Sequence, residues 1–175
     1  MERTKKFKLI KLIITAVLML AVMIVIFCFS NQNGEQSSEV SNSVGEVIVD
    51  ILGVEVPEGE TPSSVPIVAG LNVRKCAHVT LYMLLGLTSF LFVHSALTYK
   101  RKATLITIPI NTIGAALISF LYACFDEWHQ TWVGGRTGAF GDIGIDSIGY
   151  SILIAVCTLF AVCWYLIKKK KSHSD

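Results

Sequence analysis

The chain has 175 residues, of which 53% are hydrophobic and 16% charged, with a formal net charge of +2. Counting its 13 glycines as well brings the apolar share to about 60%, above the roughly 45–50% of a soluble domain. These values exclude a disordered chain, a collagen-like chain and a free nucleic-acid binder, and four long apolar runs identify an all-α membrane protein.

The first run, Leu12–Phe29, is interrupted only by Thr15, and at about 1.5 Å per residue it is long enough to cross the hydrocarbon layer. Its basic flank, Arg3, Lys5, Lys6 and Lys8, has the look of a secretory signal. The run is longer than a signal's apolar core and no small-residue cleavage site follows, so it reads as an uncleaved anchor. Ser30–Val73 contains no Lys or Arg. Within it Val40, Val44, Val47, Ile48, Ile51 and Leu52 recur at helical spacing, which predicts a short amphipathic helix against the membrane surface or the bundle, and Pro57 to Pro66 reads as a loop.

Three further runs follow: Val79–Leu97, Ala103–Phe125 and Ser147–Ile167. The expected organisation is one domain over 1–175, with membrane helices at about 9–29, 75–97, 103–126 and 143–167 and an outer loop at 30–73. Pro109 and Asn111 predict a kink in the third span. The five cysteines show neither a C-x-x-C pair nor zinc spacing and read as free thiols.

Charge sets the expected orientation. The N-terminus through Lys11, the loop Lys100–Lys102 and the tail Lys168–Lys171 hold twelve of the fifteen basic residues and share one side, with two acids. The other side has Arg74, Lys75, Arg136 and eleven acids. The positive-inside rule puts the basic side, and both termini, in the cytoplasm of a multi-pass membrane protein.

The basic residues on the far side break that rule, and each sits beside a helix end. Arg74, His78 and Tyr82 are spaced by four and line one stripe of a helix, with Lys75 beside it. The third span closes on Asp126, Glu127, Trp128, His129 and Gln130, and the fourth opens with Asp142 and Asp146, again four apart. Ser30 and Gln32 follow the first span at the same level. Ionisable groups in a membrane helix cost roughly 2.5–3.5 kcal/mol each at its centre and less near the interface, so they gather inside the bundle and pair. One clustered site made of Ser30, Gln32, Arg74, Lys75, His78, Asp126, Glu127, Gln130, Arg136, Asp142 and Asp146 is the economical arrangement. The competing reading is structural: Arg74 paired with Asp126 or Glu127, and Arg136 with Asp142 or Asp146, as glue between helices. His94 reads as a packed or solvated residue, His129 as an interfacial anchor beside Trp128 and Trp132, and Tyr82 as core.

Four motifs in order, F-S-x-Q at Phe29–Gln32, R-K-x-x-H-x-x-x-Y at Arg74–Tyr82, D-E-x-x-Q at Asp126–Gln130, and Arg136 followed by D-x-x-x-D-S-x-G at Asp142–Gly149, resemble the VanZ family of bacterial membrane proteins. The resemblance implies a cell-envelope protein associated with resistance to teicoplanin-type glycopeptide antibiotics. Two positions depart from the family pattern: Leu81 stands where many relatives carry Glu, and Gly135 where they carry a proline. The glycine predicts a more mobile Arg136 loop.

Two functions compete. In the first, Arg74, Lys75 and Arg136 hold the phosphate of an anionic membrane lipid or lipid-linked cell-wall precursor, while the acids orient them or bind a divalent cation. In the second, the same groups form a hydrolase or transferase, with His78 or Glu127 as general base and Glu127, Asp142 and Asp146 as metal ligands. A proton-coupled transporter ranks below both, because its ionisable residues would lie nearer mid-membrane.

The orientation is tested by a single cysteine at Ser63 in an otherwise cysteine-free chain, expected to react with an impermeant thiol reagent from outside the cell. Reaction only from the cytoplasmic side would invert the topology.

Overall fold

The computed structural model describes residues 2–68, 70–100, 104–135, 138 and 140–171. Among them are five helices and no strand: α1 (Glu2–Ser30), α2 (Gly34–Leu52), α3 (Val73–Lys100), α4 (Thr107–Gln130) and α5 (Phe140–Lys171). The four longest, α1, α3, α4 and α5, are long and apolar enough to cross a membrane. They alternate in direction. One end of the bundle gathers Asp126, Glu127, Asp142 and Asp146 and is called the acidic end below. The opposite, basic end carries Lys8 and the run Lys168–Lys171.

The helices outrun the apolar runs because their charged flanks stay helical. α1 begins at Glu2, and Lys8 Nζ donates to the Thr98 carbonyl at 2.8 Å, a cation on the carbonyl-rich end of α3. The expected cause of a kink at Pro109 is removed by where the helix begins. α4 starts at Thr107, after the expected beginning of the span, so the proline occupies the first turn, where no intrahelical partner needs its missing N–H.

The burial pattern is that of a helix bundle in lipid. Large side chains such as Ile13, Val17, Leu117, Leu121, Leu159 and Phe160 face outward, whereas the contacts combine a core of Ile26, Leu85, Phe90 and Ile154 with small and polar residues. On α4 the buried residues Asn111, Ala115, Ser119, Ala123 and Glu127 recur at every fourth position, a narrow stripe that lets neighbours approach closely. α3 is the hub, packing on α1, α4 and most extensively on α5. Cross-links fix the rest: the Tyr122 hydroxyl donates to the Met23 carbonyl, and Thr112 and Thr158 share a hydrogen bond of 2.8 Å between α4 and α5.

The α3–α5 contact is made by two glycines. A Cβ at Gly149 would stand 2.6 Å from the Val79 carbonyl oxygen, and one at Gly86 would stand 2.5 Å from the Tyr150 carbonyl oxygen. Each glycine receives the partner helix's backbone, so neither contact can be relieved by a rotamer change.

α2 follows α1 almost directly. Asn33 caps it, its side chain accepting from Gln36 N at 2.8 Å while Gln36 Oε1 accepts from Asn33 N at 3.3 Å. Its buried positions are the small residues Ser37 and Gly45, and Val40, Val44, Val47, Ile51 and Leu52 are exposed. The apolar stripe therefore faces away from the bundle.

Two substitutions on α5 separate packing from propensity. Gly149→Ala is expected to lower the melting temperature in detergent, at an overpacking cost of about 1–3 kcal/mol. Gly144→Ala, where a Cβ meets open space, is expected to raise it through helix propensity, a stability gain of about 0.5–1 kcal/mol.

Candidate functional site

Each helix around the acidic end places its polar residues by periodicity. Asn72 starts α3: its side chain accepts from Lys75 N at 3.0 Å and its carbonyl from Cys76 N at 2.9 Å. That cap fixes the phase in which Arg74, His78 and Tyr82 descend one stripe. α4 carries Asp126, Glu127 and Gln130 on its buried face, and α5 turns Asp146 inward from its second turn. At about 1.5 Å per residue, His78, Asp126 and Asp146 lie roughly 6–9 Å inside the ends of their helices.

The three meet. His78 Nδ1 lies 3.5 Å from Asp146 Oδ1. One donor atom each from His78, Asp126 and Asp146 fall within 4.8 Å of one another, a spacing a metal ion can bridge. Glu127 and Asp142, expected beside Asp146 as metal ligands, are not in this group. Glu127 is held next to Asp126 by Gln130, whose Nε2 donates to Asp126 Oδ2 at 3.3 Å and to Glu127 Oε1 at 3.2 Å. Asp142 stays half-buried one turn nearer the start of α5.

Burial makes the cluster unusual. Asp126 and Asp146 are each 1% exposed and Tyr82 is fully buried. Among the described residues neither Asp146 oxygen accepts a hydrogen bond, and the Tyr82 hydroxyl, beside Asp126, has no hydrogen-bond partner within normal geometry. Tyr82, read from the sequence as core, is fully buried in the core cluster, with its hydroxyl beside the candidate site. Its place four residues after His78, in the same motif, is the signal that could have shown this.

The ion pair expected between Arg74 and Asp126 or Glu127 is not formed. The His78–Asp146 contact is the only pairing of opposite charge within 4.0 Å among the described residues. Arg74 is half-buried one turn above His78, and Lys75 is exposed at the rim. Among the described residues no carboxylate lies within 4.0 Å of the Arg74 guanidinium.

Ser30 is buried at the end of α1, and Gln32 is half-buried in the turn before α2. Gly34 N donates to the Gly134 carbonyl at 3.2 Å, which joins that turn to the loop between α4 and α5. Gly138 packs back on α4, where a Cβ would stand 2.5 Å from the Glu127 carbonyl oxygen. Gly135 has φ +75°, a left-handed conformation that a proline ring forbids, which is a conformational reason for the glycine at this position. Arg136, a sequence-predicted site residue, lies outside the described residues, as do Thr137 and Ala139.

His129 packs its ring on Phe27 with centroids 4.7 Å apart, and Trp128 meets Trp132 edge-on at 4.3 Å. All five cysteines are free thiols.

Tyr82→Phe tests the orphaned hydroxyl. Removing a buried hydroxyl that has no hydrogen-bond partner among the described residues is expected to leave the melting temperature unchanged or raise it by an amount equivalent to about 1 kcal/mol. A clear fall would mean that the hydroxyl contributes to the fold.

No curated protein and no solved structure gives a match to the chain. Residues 15–161 match the family described as VanZ/LLP1, which takes in the second half of α1 through most of α5 and every residue of the buried cluster, and the chain belongs to that family.

Proposed function

We propose that this VanZ-family protein binds the phosphate-bearing headgroup of an anionic lipid, or of a lipid-linked cell-wall precursor, at the acidic end of the bundle. In this reading both termini are cytoplasmic, the acidic end faces outward, and holding the precursor lowers susceptibility to teicoplanin-type glycopeptides. The carrying observation is Arg74. A half-buried guanidinium at the bundle mouth, with no carboxylate within 4.0 Å among the described residues, has its planar donors available for two phosphate oxygens. Lys75 at the rim adds a solvated charge that draws the same headgroup in. Arg136 is the third cation assigned to this role, on the strength of its sequence position.

The exposed apolar stripe of α2 supports a lipid ligand. A helix that turns Val40, Val44, Val47 and Ile51 away from its own bundle suits the outer membrane interface, beside the mouth where a headgroup would enter.

The test is mass spectrometry of lipids that copurify with the detergent-solubilised protein. A phosphate-bearing lipid enriched over the bulk membrane is expected. Its recovery should fall by about tenfold or more in Arg74→Ala, the loss expected for a charge-assisted hydrogen bond, and should not fall in Lys100→Ala at equal protein abundance. Equal recovery from both variants would remove Arg74 from ligand binding.

A further inference from the structure

We propose that His78, Asp126 and Asp146 form a binding site for a divalent transition metal ion, with Zn²⁺ the closest match, buried between α3, α4 and α5. The site stands on its own geometry and does not depend on a lipid above it. Three donors on three separate helices have atoms within 4.8 Å of one another. Some point then lies within about 2.8 Å of all three, and side-chain rotation closes the remaining gap of under about 1 Å to ordinary nitrogen and oxygen ligand distances.

Two observations separate this cluster from an ordinary group of acids. Asp146 is 1% exposed, faces His78 and Asp126, and among the described residues has both oxygens without a hydrogen-bond donor. A carboxylate in that position stays ionised only beside a cation, and the neighbouring Asp126 adds repulsion rather than relief. His78 contributes at most one shared proton, and Arg74 has no carboxylate within 4.0 Å among the described residues. An ion between the three donors would satisfy both Asp146 oxygens, the free capacity of Asp126 and the imidazole nitrogen together.

The donor set selects the class of ion. Ca²⁺ and Mg²⁺ take oxygen shells of higher coordination number, which three side chains including an imidazole do not supply. One imidazole and two carboxylates suit a first-row transition ion, and three protein ligands with one open position are the arrangement of zinc sites that take up a further ligand. The buried Tyr82 hydroxyl beside Asp126 is placed to donate to a carboxylate bound to the ion and hold its orientation.

The full-length protein in detergent is stripped with a chelator, reloaded with Zn²⁺ or Co²⁺, freed of excess metal by gel filtration, and analysed by elemental mass spectrometry. About one ion per chain is expected in the wild type and in Glu46→Gln, a control that removes a carboxylate from exposed α2. At least about tenfold less is expected in Asp146→Asn and in His78→Gln. Visible absorption of the Co²⁺-loaded wild type reports nitrogen and oxygen ligation without requiring a variant to fold. A wild type that retains no ion, or Asp146→Asn and His78→Gln variants that retain as much as the wild type, overturns the site. Lipid measured on the same samples keeps the two readings apart: metal without an enriched lipid fails only the lipid reading, and lipid without metal fails only this one.

Discussion

The contact between α3 and α5 governs the rest of the structure. Gly86 and Gly149 let each helix receive the other's backbone, and this approach, with no side chain in between, places α5 close enough for Asp146 to reach His78. Lipid supplies no hydrophobic force to press helices together, so close packing and polar contacts between them must do it. Here both lie on one interface, the glycines toward its middle and the charged residues at its acidic end. The geometry of the site is therefore inherited from a packing contact one to two turns away.

Polar residues elsewhere in the bundle show how differently the two ends are built. At the basic end charge is used singly, as where Lys8 meets the last carbonyls of α3, and the lysines of α5 extend its helix past the apolar run. At the acidic end, carboxylates, an amide, an imidazole and a phenol are packed together. Gln130 serves two acids at once and His78 one, while Tyr82 and Asp146 keep unused hydrogen-bonding capacity. Buried polar groups left in that state are costly, and such a cost is typically met where a ligand completes the set.

Much of this was legible in the sequence, for reasons that also explain what was not. The four spans follow from unbroken apolar runs, because the length of a run is a direct measure of membrane thickness. Their ends do not, since Glu2 or Lys171 can remain helical in the headgroup region with no apolar signal to mark it. Pro109 suggested a kink only while α4 was expected to start earlier; a proline's effect depends on which turn it occupies. The members of the cluster were legible as polar residues spaced by four on several helices, but their partners were not. Pairing depends on helix rotation, and that rotation is set by Gly86, Gly149 and the Asn72 cap, which carry no charge signal at all. Hence Arg74 is near the acids in sequence logic yet paired with none of those described, and Tyr82, a core residue, also borders Asp126.

The stripe of small and polar residues along α4 bears on how the chain is made. A helix whose buried face runs from Asn111 through Ser119 to Glu127 is a poor solute for lipid when alone, and α3, carrying Arg74, Lys75 and His78, is little better. α1 and α5 are more apolar, with mean hydropathies of 3.2 and 2.2 over their best windows against 1.8 for α3 and 1.7 for α4. During biosynthesis, α3 and α4 are therefore best accommodated as a hairpin that leaves the translocation machinery as one unit, shielding each other's polar faces until α5 arrives to cover the remaining side. The two spans of lowest mean hydropathy are thus consecutive in the chain.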